Sequence, residues 1–406
     1  MRNKPHAPGS SRQVLDRHRQ DLSRCVRCGS CSAVCPSFLA NREESRSPRG
    51  RMAMISAVLE GRLPVSKVYG DRLETCTGCL ACEDACPSGV PVTTIIQAAR
   101  EQAVDERGPG IVKSLLTRIL SNEDALRASA CLAPLMLHYR VASVRGGPQQ
   151  TRPRRIVQAS TDAEERERKG RVVFFSGCAI NYHQPGLGQS AVSILSRIGY
   201  QVIIPDGLQC CGRPLLSLGD RKAAGELAAK NAALLAAVRA DAIVTACASC
   251  ALTFTREYPK LLGPAATVPL VLDLHGFLAA QRGRFAAGPV NRTITWHDSC
   301  HLGRGLGLAK TARELLRSIP GIRLVEMRNP DRCCGFGGVM RLTHHGISDG
   351  IADAKAGDII ATRADAVVTG CPGCRMQIAD GLRRAGSDIA VLHTVQVIEE
   401  ALASSE

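Results

Sequence analysis

Along the chain, stretches whose apolar residues recur every three or four positions alternate with short runs rich in Val, Ile and Thr. Residues 1–24 carry few apolar positions and many basic ones, and read as a flexible basic N-terminus. In residues 25–105 the clear helical spacing is Met52, Ile55, Val58 and Leu59, which predicts a helix in the middle of that unit. Residues 106–144 read as an amphipathic helical segment with Leu115, Leu116, Ile119 and Leu120 on one side. The expectation is a stripe packed on a neighbouring domain, with docking on a membrane surface or a partner as the alternative. Residues 145–170 (RGGPQQTRPRRIVQASTDAEERERKG) are polar, charged and broken by Gly and Pro, the composition of a linker.

The remainder of the chain is a duplication. Residues 239–250 read RADAIVTACASC and residues 363–374 read RADAVVTGCPGC. In the first copy, residues 171–285, β-rich runs fall at 172–176, 202–205 and 242–245. In the second, residues 286–406, they fall at 293–296, 323–326 and 366–369. Strands spaced by helix-length segments predict two α/β units with parallel sheets. The expected fold class is therefore multidomain, α+β and α/β: a helical N-terminal domain followed by two duplicated α/β units.

Composition changes this picture little. A hydrophobic share of 45% and a charged share of 22% are those of a soluble globular chain, and 406 residues allow two or three cores. No run of 18 apolar residues occurs, so no membrane span is expected, and the polar start lacks the apolar core of a secretory leader. The net charge of +15 raises the question of nucleic acid, but aromatics at 3% leave little to stack on bases. Thiolates bound to metal would lower that charge: a four-cysteine [4Fe–4S] centre carries roughly −2, and two would leave about +11. An acidic partner surface or anionic lipid explains the remainder at least as well, and no nucleic-acid partner is expected.

The chemistry lies in the 19 cysteines. Two groups read C-x2-C-x2-C-x3-C-P: Cys25, Cys28, Cys31, Cys35 and Cys76, Cys79, Cys82, Cys86. Three cysteines on so tight a loop wrap one cubane cluster, and in two-cluster ferredoxins the fourth serves the other cluster. Transferred here, Cys25, Cys28, Cys31 and Cys86 hold one [4Fe–4S] cluster, and Cys76, Cys79, Cys82 and Cys35 hold the second. Zinc is the rival, but its sites use paired C-x2-C motifs and not this doubled triple spacing. Each copy of the duplication holds a lone Cys, a Cys-Cys-Gly and a C-x2-C: Cys178, Cys210, Cys211, Cys247, Cys250, then Cys300, Cys333, Cys334, Cys371, Cys374. These ten are candidate ligands of one or two further iron–sulfur or zinc sites, with buried reduced thiols as the bland reading. They should sit beyond the carboxyl ends of strands, with Cys247 and Cys371 before helix starts. Gly212 and Gly335 would let the backbone come close to metal. His297, Asp298 and His301 flank Cys300, and His183 lies near Cys178. Such residues are more often structural than ligands, with a proton-handling role for His301 as the alternative. Cys131 reads as a core thiol. Thiolates in such number belong in a reducing, cytoplasmic location.

With both halves in view, the chain resembles the iron–sulfur subunit family of bacterial glycolate oxidase. Beyond the cysteines, the carriers are SPRGRMAMISAVLEG after the first motif and CPSGVP in the second. FFSGCAINYHQPGLG is similar to the corresponding stretch of the anaerobic glycerol-3-phosphate dehydrogenase iron–sulfur subunit, and the Cys-Cys-Gly sets to those of heterodisulfide reductase, a resemblance that implies non-cubane [4Fe–4S] centres in them. The resemblance implies a ferredoxin-like domain over 25–105 with two [4Fe–4S] clusters. It also implies an FAD-containing dehydrogenase subunit as partner, and a quinone or membrane electron acceptor, at the inner face of the cytoplasmic membrane. The activity implied is oxidation of a 2-hydroxyacid, glycolate or lactate, on the flavoprotein, with no catalytic residue on this chain. The alternatives are glycerol 3-phosphate as substrate, or thiol/disulfide chemistry at a Cys-Cys-Gly centre. The glycolate family can lose a cysteine from its C-x2-C pairs, whereas all ten are kept here, which moves weight towards the heterodisulfide type.

Overall fold

The computed structural model describes residues 11–136, 169–264, 266–267, 269–281 and 287–404. The chain divides into two compact units. One joins Met1–Thr117 to two later excursions, Pro214–Lys222 and Gly335–Ile351, and the other contains the rest.

The first unit is helical. Ser47 caps the helix Pro48–Leu59, accepting a hydrogen bond from the Gly50 amide at 2.9 Å, and Pro48 stands at the first turn where no amide donor is needed. This helix buries Met52, Ile55, Val58 and Leu59, the stripe that the spacing predicts. Against it lie Ile95, Ile96 and Ala99 of the helix Val92–Arg107, together with Tyr69 and Leu73. The N-terminal segment differs from expectation. Ser11–Asp16 and Arg19–Ser23 are helical, and Leu15 is fully buried in the same core. Leu15, with Val14 and Leu22 beside it and Arg19 donating to the Leu59 carbonyl at 3.0 Å, ties down a stretch whose composition reads as unstructured; residues 1–10 lie outside the described ones.

The helix Gly110–Leu120 also departs from the reading. It buries no residue fully: of the expected stripe Leu115 is exposed at 57%, while Leu116, Ile119 and Leu120 are half-buried. The helix Glu123–Met136 follows. The side chain of Cys131, the end of the helical segment and nearly all of the expected linker fall outside the described residues; Gly170, its last residue, already opens a strand.

The second unit contains two parallel four-stranded sheets of identical order. Strands β1 (Gly170–Phe174), β2 (Tyr200–Ile203), β3 (Ala242–Thr245) and β4 (Val271–Asp273) run β2-β1-β3-β4. Strands β5 (Arg292–His297), β6 (Ile322–Val325), β7 (Ala366–Thr369) and β8 (Ala390–His393) run β6-β5-β7-β8. Val172 pairs with Ala242 in the first sheet, and Ile294 with Ala366 in the second. The central strands bury nearly all of their later residues on both faces, as parallel sheets require. The edge strands β4 and β8 lie outside the runs that the sequence predicts. The two copies have their own sheets but share a single core, in which Val173, Phe174 and Leu195 lie with Ile294, Trp296 and Val368. Among the described residues no helix is long and apolar enough to cross a membrane.

Candidate metal centres

In the first unit each C-x2-C-x2-C loop turns left-handed twice. Arg27 and Gly29 do so in the first loop (φ 56° and 88°), and Gly78 and Leu80 in the second (φ 66° and 65°). Alternating handedness aims successive amide N–H groups at one point, a nest for an anion. Short helices, Ser30–Ala33 and Ala81–Asp84, then carry Cys31 and Cys82. Cys25, Cys28, Cys31 and Cys86 line one recess of about 410 Å³. Cys35, Cys76, Cys79 and Cys82 line another of about 290 Å³. The fourth cysteine of each motif thus faces the other motif's recess. None of these thiols is bridged, and the remaining walls include Met52, Val90 and Val92 in one recess and Pro48 and Ile96 in the other. Four soft donors in a mostly apolar wall fit a cubane cluster.

The electrostatics agree with that fit. Burial pushes the Cys35 thiol up to about 11 and raises Cys82 further, with the Cys76 charge adding to it. Cys28, at the mouth, is instead held down by its hydrogen bond with Ser30. Buried thiols of this kind ionise when a metal takes the proton's place. Two arginines support the second recess, and nothing in the linear pattern singles them out. Arg51 is 1% exposed, lines the recess, and donates to the Arg72 carbonyl and to Thr75 Oγ1 at 2.9 and 2.7 Å. Arg100 donates to the carbonyls of Leu73 and Cys76, both at 2.7 Å, fixing the chain as it enters the second motif.

In the second unit, Cys178, Cys247, Cys300 and Cys371 each follow the end of a central strand, β1, β3, β5 and β7. Cys247 and Cys371 are N-caps with extended backbone, so their side chains sit at helix starts. A π-helical turn begins just after Cys178 and again after Cys300 (Ala179–His183 and His301–Gly305), a local widening common at functional sites. Cys178 Sγ lies 3.3 Å from Cys210 Sγ. From there thiol contacts run through Cys211, Cys250 and Cys247 to Cys371, Cys374 and Cys334, crossing from one copy to the other at Cys247–Cys371. Bonds from Cys210 and Cys250 hold Cys211 well below the ordinary thiol range, and bonds from Cys247 and Cys374 do the same for Cys371. Their donors Cys210 and Cys374 are raised, chiefly by the bonds to Cys178 and Cys334. So dense a set of unbridged, buried sulfurs is a donor set for soft metal. Gly212 and Gly335 have φ of 85° and 91°. A Cβ at Gly335 would come within 2.6 Å of the Ser348 carbonyl, so helix packing as well as handedness requires glycine there.

The polar residues near Cys300 separate into distinct roles. Asp298 is gripped by Arg313 through both carboxylate oxygens, at 2.8 and 2.7 Å, and accepts from Trp296 Nε1, which makes it structural. His301 Nδ1 shares a hydrogen bond with Ser249 Oγ at 2.8 Å, and Ser249 lies 3.8 Å from Cys371 Sγ, so this histidine links the two copies beside a thiol. His183 is exposed. His297 is fully buried, and burial pushes its imidazole down to about 3, leaving it neutral. The Pro330 carbonyl acts on the ring, yet neither ring nitrogen makes a hydrogen bond of ordinary geometry. Asn231, unmarked in the sequence, is fully buried and ties the Cys-Cys-Gly loop down by bonding the Cys210 carbonyl, the Gln209 amide and Tyr258 Oη.

A helical unit with two four-thiol recesses, joined to a duplicated parallel-sheet unit rich in buried thiols, defines an iron–sulfur protein of the oxidoreductase class. Comparison with known proteins agrees. Residues 21–90 match the family described as a 4Fe-4S dicluster domain, and residues 172–255 and 294–379 each match the cysteine-rich domain family. An uncharacterized iron–sulfur protein of Methanocaldococcus jannaschii is 30% identical, over 90% of this chain and 69% of its own. One subunit of the dihydromethanophenazine:CoB–CoM heterodisulfide reductase of Methanosarcina barkeri is 28% identical over 95% of each chain. The glycolate oxidase iron–sulfur subunit of Escherichia coli is 26% identical over 94% of each. The chain belongs to the family of iron–sulfur proteins that join a 4Fe-4S dicluster domain to two cysteine-rich domains, to which glycolate oxidase iron–sulfur subunits and the matching heterodisulfide reductase subunits also belong. Two [4Fe–4S] clusters are therefore its cofactors.

Proposed function

We infer that this chain is the electron-transfer subunit of a flavin-linked 2-hydroxyacid dehydrogenase, oxidising glycolate or lactate on an FAD-containing partner and passing electrons towards quinone. The observation that carries the reading is the exchange of fourth cysteines between the two recesses. When bound, [4Fe–4S] clusters accept and release single electrons. The chain's own residues hold two such sites within one small helical unit, exclude water with Met52, Ile96 and Val92, and place Arg49 and Arg51 beside anionic centres. The cubane ligands are Cys25, Cys28, Cys31 and Cys86 for one cluster, and Cys35, Cys76, Cys79 and Cys82 for the other. The ten Cys-Cys-Gly cysteines bind further metal. The chain is to be purified with its native partners and assayed for dye reduction with glycolate, D-lactate and glycerol 3-phosphate. Bleaching with glycolate or lactate is expected, and failure with all three sinks the reading.

The unbroken run of thiol contacts through both copies favours a second reading, in which a disulfide substrate is reduced at a Cys-Cys-Gly centre, as the name of the Methanosarcina relative says of that enzyme. Disulfide reduction by the purified complex, with no hydroxyacid activity, would select it. Iron and sulfide counts bear on both: about eight irons would mean that only the dicluster domain is filled, and about sixteen that all four sites are.

A further inference from the structure

The two copies are not chemically equivalent, and the difference falls on one residue. Phe175 and His297 stand at the same place, each three residues before the lone cysteine and displaced by the 122 residues that separate Cys178 from Cys300. In the first copy Phe175 is fully buried and packs edge-on against Phe254, with ring centroids 4.9 Å apart. In the second copy the strand end carries an imidazole, and it is equally buried. A histidine in a core ordinarily finds partners for its nitrogens, but both of these lack a hydrogen bond. One ring nitrogen lies close to sulfur. The ligand atoms of His297, Cys334 and Cys374 all lie within 4.8 Å of one another. His393, the other buried histidine with an unbonded nitrogen in this unit, differs: its Nδ1 caps the helix Thr394–Ala403 by accepting from Val395, and it joins no such triad.

We propose that His297 is a nitrogen ligand of the metal centre held by the second cysteine set, which makes that centre mixed nitrogen–sulfur while the first, with Phe175 in the same place, is sulfur only. The proposal rests on the reading that the second set binds metal. The Pro330 carbonyl, which already accepts the Asp298 amide at 3.0 Å, also acts on the ring and is the candidate outer partner of a ligating imidazole. An imidazole in place of a thiolate raises the reduction potential of an iron–sulfur centre. Where His297 takes a position that a thiolate fills in the first centre, the second centre would be the better electron acceptor of the two; Cys247 contacts Cys371 between the two sets.

The test is spectroscopic. Reduced full-length protein, prepared with natural-abundance or 15N-labelled histidine, is compared by pulsed EPR, or by X-ray absorption at the zinc edge if metal analysis finds zinc. A ligand-strength nitrogen coupling that changes with the isotope, or imidazole scattering at zinc, is expected in the wild type. It should vanish in His297→Phe and in His297→Cys, with the dicluster signals intact, and survive Cys250→Ala in the first set. If neither variant folds, the isotope shift, its retention in Cys250→Ala and its loss in Cys374→Ser decide. A metal-loaded second set with an all-sulfur shell, or a nitrogen signal that persists without His297, overturns the proposal alone. Metal content unchanged by Cys334→Ser and Cys374→Ser overturns both it and the reading that this set binds metal.

Discussion

Arg51 carries a full charge at 1% exposure, a placement that costs several kcal/mol unless a counter-charge lies close. Its partners are a carbonyl and a hydroxyl, both neutral, so the anion it serves is the one the recess of Cys35, Cys76, Cys79 and Cys82 receives. Replacing it by Met should lower the reduction potential of that cluster by on the order of tens of millivolts. Arg51→Lys should restore most of it, and the cluster at Cys25, Cys28, Cys31 and Cys86 should hardly move; a redox titration followed by EPR resolves the two. Glu101 gives a pH prediction. Burial pushes its carboxyl up to about 7, against the pull of Arg221 and with help from Asp105. The folded chain therefore keeps a proton that the unfolded chain, with a carboxyl near about 4.3, releases. Stability from this group is highest below about pH 4, falls as pH rises to about 7, and then levels off. Melting temperatures of wild type and Glu101→Gln should thus diverge from about pH 4 to about pH 7 and then keep a constant gap, the variant gaining. Parallel curves would show that burial does not control this carboxyl.

At the scale of elements, what could be read from sequence was what a single segment encodes. The helix Pro48–Leu59 announces itself by its stripe, and β1, β3, β5 and β7 by apolar, β-branched runs that two-sided burial demands. Strands β4 and β8 escape notice because three or four residues leading straight into a helix leave no period to read. The stripe of Gly110–Leu120 is covered only in part, since amphipathicity states which face wants cover and not how much cover it gets. His297 becomes informative only when β5 and the start of Pro372–Arg384 bring it to Cys374. One element shows how local sequence secures the dicluster unit. A Cβ at Gly50 would fall 2.0 Å from the Glu44 carbonyl, so the turn before Pro48–Leu59 closes only over glycine. Gly50→Ala must displace that turn and should cost about 2–3 kcal/mol, more than the loss of about 1 kcal/mol expected for Ser47→Ala, which removes only the cap. Chemical denaturation of the two variants gives the order, and a smaller loss for Gly50→Ala would show that the turn yields.

At the scale of the whole molecule, the chain returns to its first unit twice, from inside each cysteine-rich copy, and no local pattern announces it. Pro214–Lys222 and Gly335–Ile351 are too short to advertise a destination, yet they belong with the dicluster helices. His344 reaches Asp71 at 2.8 Å, and Gly219 lies on the backbone of Arg100 so closely that a Cβ would meet its carbonyl at 2.6 Å. That second contact bears directly on the site, because Arg100 is the residue that fixes the carbonyl of Cys76. Gly219→Val, at a φ of +86°, should therefore push the first excursion off the helix Val92–Arg107, loosen Arg100, and leave the entry to the second motif unheld. The expected result is selective: iron leaves the recess of Cys76 faster under a chelator, while that of Cys25 keeps its rate, as followed by the decay of the two EPR signals. The carbonyls of Leu73 and Cys76 would each lose a charged donor, at about 1–3 kcal/mol apiece, enough to speed release severalfold or more. Equal loss from both sites would mean that the excursion merely covers the unit. Unequal loss would mean that the first return of the chain helps set the stability of the Cys76 site through Arg100.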